Sequence, residues 1–372
     1  VERYVAAPGW QRALVGALVL NLLLVLGITV ASQFVGSAVI ISMLIAVVIV
    51  VALGSFVGNS GVLSLGHVGF VALGAYVSGL LTIPPEVKAT ALPKLPTWLQ
   101  QIELPLPLAT LAAVVVVAVA ALLFSPVVTR PSGYAAAIAT LGVLVIIRSA
   151  LIWMDPLTRG SQTFYGVPRL TTVPVALAVA CGTVVLARLF RESASGVLLR
   201  ATRDDELAAR AFGANVARLR LQAWLLSAML AGVGGSLMGH FITAFSPAQF
   251  FLPLTLSYLV MLIVGGSATV AGAVLGAAGI VLATEFLGRL ETGFTIGPLD
   301  FPTFFGLPQL VLAVLMILVL YVRPQGLIGV REPDETIVAT VGARSLRRKT
   351  KKSDGPRQSL DESDQARKAV TH

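Results

Sequence analysis

The chain has 372 residues, of which 56% are hydrophobic and only 12% charged, with a formal net charge of +9 and a mean hydropathy of +0.88. Soluble domains carry about 25% charged residues, so an ordinary water-soluble enzyme is excluded. The positive balance does not mark a nucleic-acid binder either, because Arg and Lys gather in a central loop and after Tyr321, and no DNA or RNA module is visible.

Apolar runs near the roughly twenty residues needed to cross hydrocarbon predict a first span at Ala13 to Ala31. It follows Arg3 and Arg12, as a signal peptide would, but its length favours a retained span. Spans follow at Ser37 to Val57 and Gly61 to Ile83, the latter opened by the polar, glycine-rich stretch Asn59 to His67. Polar groups in hydrocarbon need partners or water. Ser64, His67 and Tyr76 are therefore candidate substrate-pathway residues, with hydrogen bonding between neighbouring helices as the plainer alternative. Pro84 to Pro105 reads as an external loop with Trp98 as an interface anchor.

Leu106 to Val128, Tyr134 to Trp153 and Val173 to Leu189 complete six spans, with Asp155 to Thr172 external and the lone Cys181 a packing residue. Arg148 is expected near the outer end of its span or in a wet interior, because a charge at the centre costs about 2.5–3.5 kcal/mol. The loop from Arg191 to Arg220 then interrupts the apolar pattern. Asp204, Asp205 and Glu206 can cap a short helix, Leu207, Ala211 and Phe212 give it an apolar side, and Gly213 can end it. A helix so short is marginal alone in water and needs something to lie against.

Spans at Leu221 to Ile242, Leu252 to Val264, Val270 to Leu287 and Phe304 to Val322 follow, giving an all-α polytopic membrane protein of about ten transmembrane helices. Gly235 with Gly239 and Gly272 with Gly276 allow close helix packing, and Glu285 can pair with Arg289 one turn on. The Arg-rich loop and the region after Arg323 should share the cytoplasmic face, so an even number of spans must separate them. Four satisfies this only if the short Leu252 to Val264 stretch crosses. Both termini are then cytoplasmic. Residues 1–330 form the membrane domain, with a cytoplasmic loop at 191–220, and 331–372 form a disordered, charged cytoplasmic tail.

No metal-ligand set surrounds His67, His240 or His372, and no mid-span carboxylate relay appears. A GxxxxGK[ST] loop is missing, so the chain cannot hydrolyse ATP by the usual phosphate cradle. GNSGV around Ser60 lacks the full GxSxG pattern, which leaves an intramembrane serine protease as a remote reading. What remains is a pore or carrier body with a docking loop, no catalytic residue and no engine of its own.

Five stretches carry a resemblance: NSGVLSLGHVGFVALGAY from Asn59, GVLLRATRDDELAARAFGANVARLRLQAW from Gly196, SAMLAGVGGSLMGHFITAFSP from Ser227, GGSATVAGAVLGA from Gly265 and RPQGLIG from Arg323. Together they resemble the permease subunits of branched-chain amino acid ABC importers, M-type, and cover most of the membrane part in order. The resemblance implies the ABC importer permease fold in a bacterial plasma membrane. It also implies as partners an H-type permease, two ABC ATPase subunits that hold ATP and Mg, and an extracytoplasmic solute-binding protein. No cofactor or metal is expected on this chain. The resemblance assigns Arg203, Asp204, Asp205, Glu206, Leu207, Arg210 and Phe212 to ATPase coupling. Val145 stands where members of that family commonly carry an acidic residue, and Arg159 with Gly160 stands in place of a glycine pair, departures that open the solute beyond leucine, isoleucine and valine. Within the class the rival is urea or a short amide, whose permeases look alike. An ion-coupled secondary carrier is the rival outside the class.

Overall fold

The computed structural model describes residues 9–131, 133–291, 295–296, 299–300, 306–323, 325–329 and 332. Helix α1 spans Gly9–Ala31, α2 Ser37–Ser60, α3 His67–Thr82, α4 Pro85–Ala91, α5 Thr97–Gln100, α6 Leu106–Leu123, α7 Ser125–Thr129 and α8 Tyr134–Trp153. There follow α9 Asp155–Thr158, α10 Val173–Glu192, α11 Ala194–Asp204, α12 Glu206–Ala211, α13 Val216–Ile242, α14 Leu252–Gly265 and α15 Val270–Glu291. A two-residue hairpin, β1 Thr295–Ile296 and β2 Leu299–Asp300, precedes α16 Leu307–Val322.

An apolar helix stands at each of the ten stretches expected to cross the membrane. Among the described residues, seven are long and apolar enough to do so alone. α3 and α4 meet the same length and hydropathy criterion only when taken together, across a bend of 118° after Thr82. α14 has 14 residues, about 21 Å of helix against roughly 30 Å of hydrocarbon. At one end Leu327 N donates to Val264 O at 3.0 Å, and at the other the Phe164 and Phe245 backbones exchange hydrogen bonds at 2.7 and 2.9 Å.

α2 is apolar on every side, the pattern of a helix buried all round, and 83% of its most apolar window is indeed buried. The figure for α6 is 22%, so α6 forms the rim while α2 is the axis around which α13, α15, α10 and α11 pack. Prolines in the first turn start α4, α6, α10 and α14, where a missing N–H costs nothing. α3 and α13 approach closely: a Cβ on Gly74 would stand 2.1 Å from Gly232 O, and one on Gly235 would stand 2.0 Å from Val71 O. Gly276 plays the same part between α15 and α14, where a Cβ would meet Met261 O at 2.0 Å.

The expected start of the third span at Gly61 is corrected. Asn59 and Ser60 finish α2, Gly61 caps it with φ +69°, and α3 begins only at His67. The break is stable because its amides find hydroxyls: Val62 N donates to Ser60 Oγ at 3.2 Å and Leu65 N to Thr140 Oγ1 at 3.1 Å. The fourth span likewise ends early, at Leu123, with Ser125 and Pro126 opening the separate α7.

The loop 191–220 and Glu332 meet at one end of the bundle, with four apolar helices, α13 to α16, between Arg220 and Arg323. Lys94 and Asp155 pair at 2.6 Å at the opposite end. Arg148 lies five residues before the end of α8, with its guanidinium 4.5 Å from the Phe251 ring centroid. Glu285 and Arg289 pair at 3.1 Å. Arg3 and the tail 333–372 lie outside the described residues. Glu332, two residues past the expected domain boundary, is 1% exposed and packed into the bundle.

Candidate functional site

The arginine-rich end is built on α10, whose buried stripe Ala176, Ala180, Val184, Ala187 repeats at helical spacing and runs on into Arg188 and Arg191. Ser193 then turns the chain. Its hydroxyl accepts from Gly196 N at 3.1 Å, and a Cβ on Gly196 would lie 2.1 Å from Phe190 O, so the corner is tight. α11 buries Leu199 and Thr202 against the bundle and leaves Val197 and Leu198 half exposed.

Of the three acidic residues that can cap the short helix, Asp205 does so. Its extended backbone separates α11 from α12, and Oδ1 accepts from Ala208 N at 2.9 Å. Asp204 is exposed on the last turn of α11. Glu206 binds two arginines, Arg210 Nη2 at 2.6 Å and Arg220 Nη2 at 2.9 Å. Its hydrogen bonds from Arg210, helped by the Arg220 charge, hold the carboxyl below its usual range. Arg220 continues to Pro131 O at 3.3 Å, so α12 is tied to α13 and to the α7–α8 connection. Arg203 lays its stem over Gly61 and donates to Gly58 O at 2.9 Å, which ties α11 to the end of α2.

This scaffold presents apolar side chains to water. Leu207 is 81% exposed and Phe212 92%, with Ala208 and Ala211 between them, while Ala209 faces inward. Unlike the apolar rim of α1 or α6, they stand among charged side chains at a polar end. Burying a Leu and a Phe side chain contributes about 1.5–3 kcal/mol each. The arrangement is an ion-paired hairpin with an apolar tip.

The pathway candidates do not form one site. Ser64, His67 and Tyr76 are 1%, 3% and 3% exposed. His67 Nδ1 meets Ser64 Oγ at 2.7 Å and Nε2 meets Ser227 Oγ at 2.6 Å. Ser227 spends its proton on Ala52 O at 2.6 Å, so a neutral His67 ring donates from Nε2 and accepts at Nδ1. Tyr76 lies over two turns away, in an aromatic cluster with Phe164, Phe245 and Phe250.

Residues not expected at the site from the sequence complete the polar end: Arg188 pairs with Glu332 at 3.0 Å, and Arg220 braces Glu206. The signal for Arg188 and Arg191 was their place on the buried stripe of α10. For Glu332 no local pattern existed.

The family described as "Branched-chain amino acid transport system / permease component" matches residues 37–320. The chain is 28% identical, over 354 residues, to the high-affinity branched-chain amino acid transport system permease protein LivM of Salmonella typhimurium, covering 84% of this chain and 76% of that protein. It is 28% identical to LivM of Escherichia coli over 325 residues, covering 78% and 69%. A probable branched-chain amino acid transport permease protein LivH of Methanocaldococcus jannaschii is 31% identical over 136 residues, 36% of this chain and 41% of that protein. No solved structure matches the chain.

Proposed function

Because the chain belongs to the permease-component family of branched-chain amino acid transport systems, we propose that it is the M-type membrane subunit of an ATP-driven importer, moved by a separate ATPase that docks on α12. The reading is supported above all by Leu207 and Phe212, standing 81% and 92% exposed on a helix braced by Glu206 to Arg210 and Arg220. A braced helix transmits force; a frayed loop would absorb it. Arg203, Asp204, Asp205 and Arg210 surround the apolar tip with charge that orients a partner.

ATP and Mg belong on the two ATPase subunits, and an H-type permease and an external solute-binding protein complete the assembly. The arginine-rich end faces the cytoplasm of a bacterial cell. The solute is a branched-chain or related amino acid, delivered to the end that carries Lys94, Asp155 and Arg159. Ser64, His67 and Tyr76 act on the pathway by holding α3 against α13 and Phe164 against Phe245 until the helices separate.

The direct test replaces Leu207→Asp and Phe212→Asp together in the full importer. The ATPase subunits should no longer co-purify and uptake should stop. A doubly substituted permease that retains its ATPases and full uptake would refute the docking assignment. Binding of leucine, other amino acids and urea by the cognate external protein separates the solute readings.

A further inference from the structure

Glu332 lies outside every helix and outside the α11–α12 hairpin, yet its carboxylate joins parts of the chain distant in sequence. Oε1 accepts from Val270 N at 2.7 Å and Oε2 from Ala271 N at 3.3 Å, at the N-terminus of the 22-residue α15. Free amides there favour an anion. The same carboxylate faces Arg188 Nη1 at 3.0 Å and Arg191 Nε at 3.4 Å on α10. Arg191 in turn donates to Ala268 O in the α14–α15 turn, and its own carbonyl accepts from Arg200 of α11.

The C-terminal segment that brings Glu332 here is itself seated on that turn. Ile328 N donates to Gly265 O at 3.2 Å, and a Cβ on Gly326 would stand 2.4 Å from Gly266 Cα. Taking these charges out of water offsets most of their attraction, so such a cluster is weak evidence for stability. Its geometric content is larger. One buried carboxylate bonded to two helices restricts how they move relative to each other.

We propose that Glu332 is a positioning residue for coupling: it fastens the end of α10, from which the α11–α12 hairpin springs, to α15, so that a push on the hairpin carries the α14–α15 pair with it as one body. The proposal rests on the docking assignment of α12. It adds a route by which the push reaches membrane helices distant in sequence from the hairpin, through a residue that touches neither solute nor ATPase.

The test uses the full-length permease in its complete importer, reconstituted in liposomes with Cys181→Ser and spin labels at Ala201→Cys and Leu327→Cys. The separation of the labels should be the same in nucleotide-free and vanadate-trapped complexes, and should differ between those states once Glu332→Gln is added. With Glu332→Gln the ATPase subunits should still co-purify and hydrolyse ATP, while solute moved per ATP falls by roughly tenfold. A label separation that changes between states without Glu332→Gln overturns the proposal, as does Glu332→Gln with undiminished uptake per ATP. Where Glu332→Gln prevents assembly, the label separation in the Glu332 background decides alone. Failure of the docking assignment is seen separately, as ATPases retained by the Leu207→Asp, Phe212→Asp permease.

Discussion

His67 on α3 and Ser227 on α13 are joined across the helix interface by a 2.6 Å hydrogen bond. At the other end of the same pair, Thr82 of α3 meets His240 of α13 at 2.8 Å. Between these two bolts the backbones close on glycine.

Removing Ser227 therefore orphans a buried imidazole nitrogen. Ser227→Ala should destabilise the purified protein by about 1–3 kcal/mol without loosening the proposed ATPase subunits, because the hydrogen bonds of Ser227 and His67 run to α2, to each other and to Ser64 rather than to α12. Thermal melting combined with co-purification checks both halves. An unchanged melting curve would show that the His67 bond has no net worth.

The glycines give a paired prediction. Gly235→Ala puts a methyl 2.0 Å from Val71 O, whereas Gly182→Ala meets nothing within 4 Å. The first should abolish or sharply reduce folded protein in the membrane. The second should be neutral or stabilising by about 1 kcal/mol, the helix-propensity difference between the two residues. Yield and melting temperature of the two variants, measured side by side, provide the check.

Gly61 carries two demands at once, a φ of +69° and room for Arg203, whose Cγ would stand 2.7 Å from an added Cβ. Gly61→Ala should weaken solute-stimulated ATP hydrolysis while the fold survives. Adding Arg203→Ala relieves the steric part only, so the double substitution should be less than additive. Additive losses in stimulated hydrolysis would mean that Arg203 does not report on Gly61.

The pH response of the hairpin follows from Glu206. Its carboxyl is held below the usual value of 4.5, chiefly by the hydrogen bond from Arg210. A depressed carboxylate stabilises the folded arrangement above its unfolded value, and that contribution is lost as pH falls through the lower, folded one. Protection of the amides of residues 206–211, taken against the intrinsic exchange rate at each pH, should persist on acidification to about the ordinary carboxylate range and fall only below it. In Glu206→Gln the acid step should vanish. A step of equal size in the variant would assign it to another carboxylate.

Much of this architecture was legible from local pattern. Hydropathy is a sum over neighbours in the chain, so apolar runs of sufficient length located ten helices, and the arginine distribution placed loop 191–220 and the C-terminal side of α16 at the same end. The DDE run marked the short helix because caps act within one turn, and Asp205 is that cap. The small residues of α13 and α15 announced close packing for the same local reason.

Buried polar groups choose partners by proximity in space, and that information is absent from any window. His67 found Ser227 160 residues away, and Thr140 satisfied Leu65 N across 75 residues, which is why α3 starts at His67 instead of Gly61. Glu332 stands in a stretch with the composition of a solvated tail, yet it occupies the N-terminus of α15 beside two arginines. The sequence by itself determined which segments are apolar helices. Which polar atom answers which was decided only when tertiary packing removed water and left buried donors only the few acceptors that the fold brings within reach.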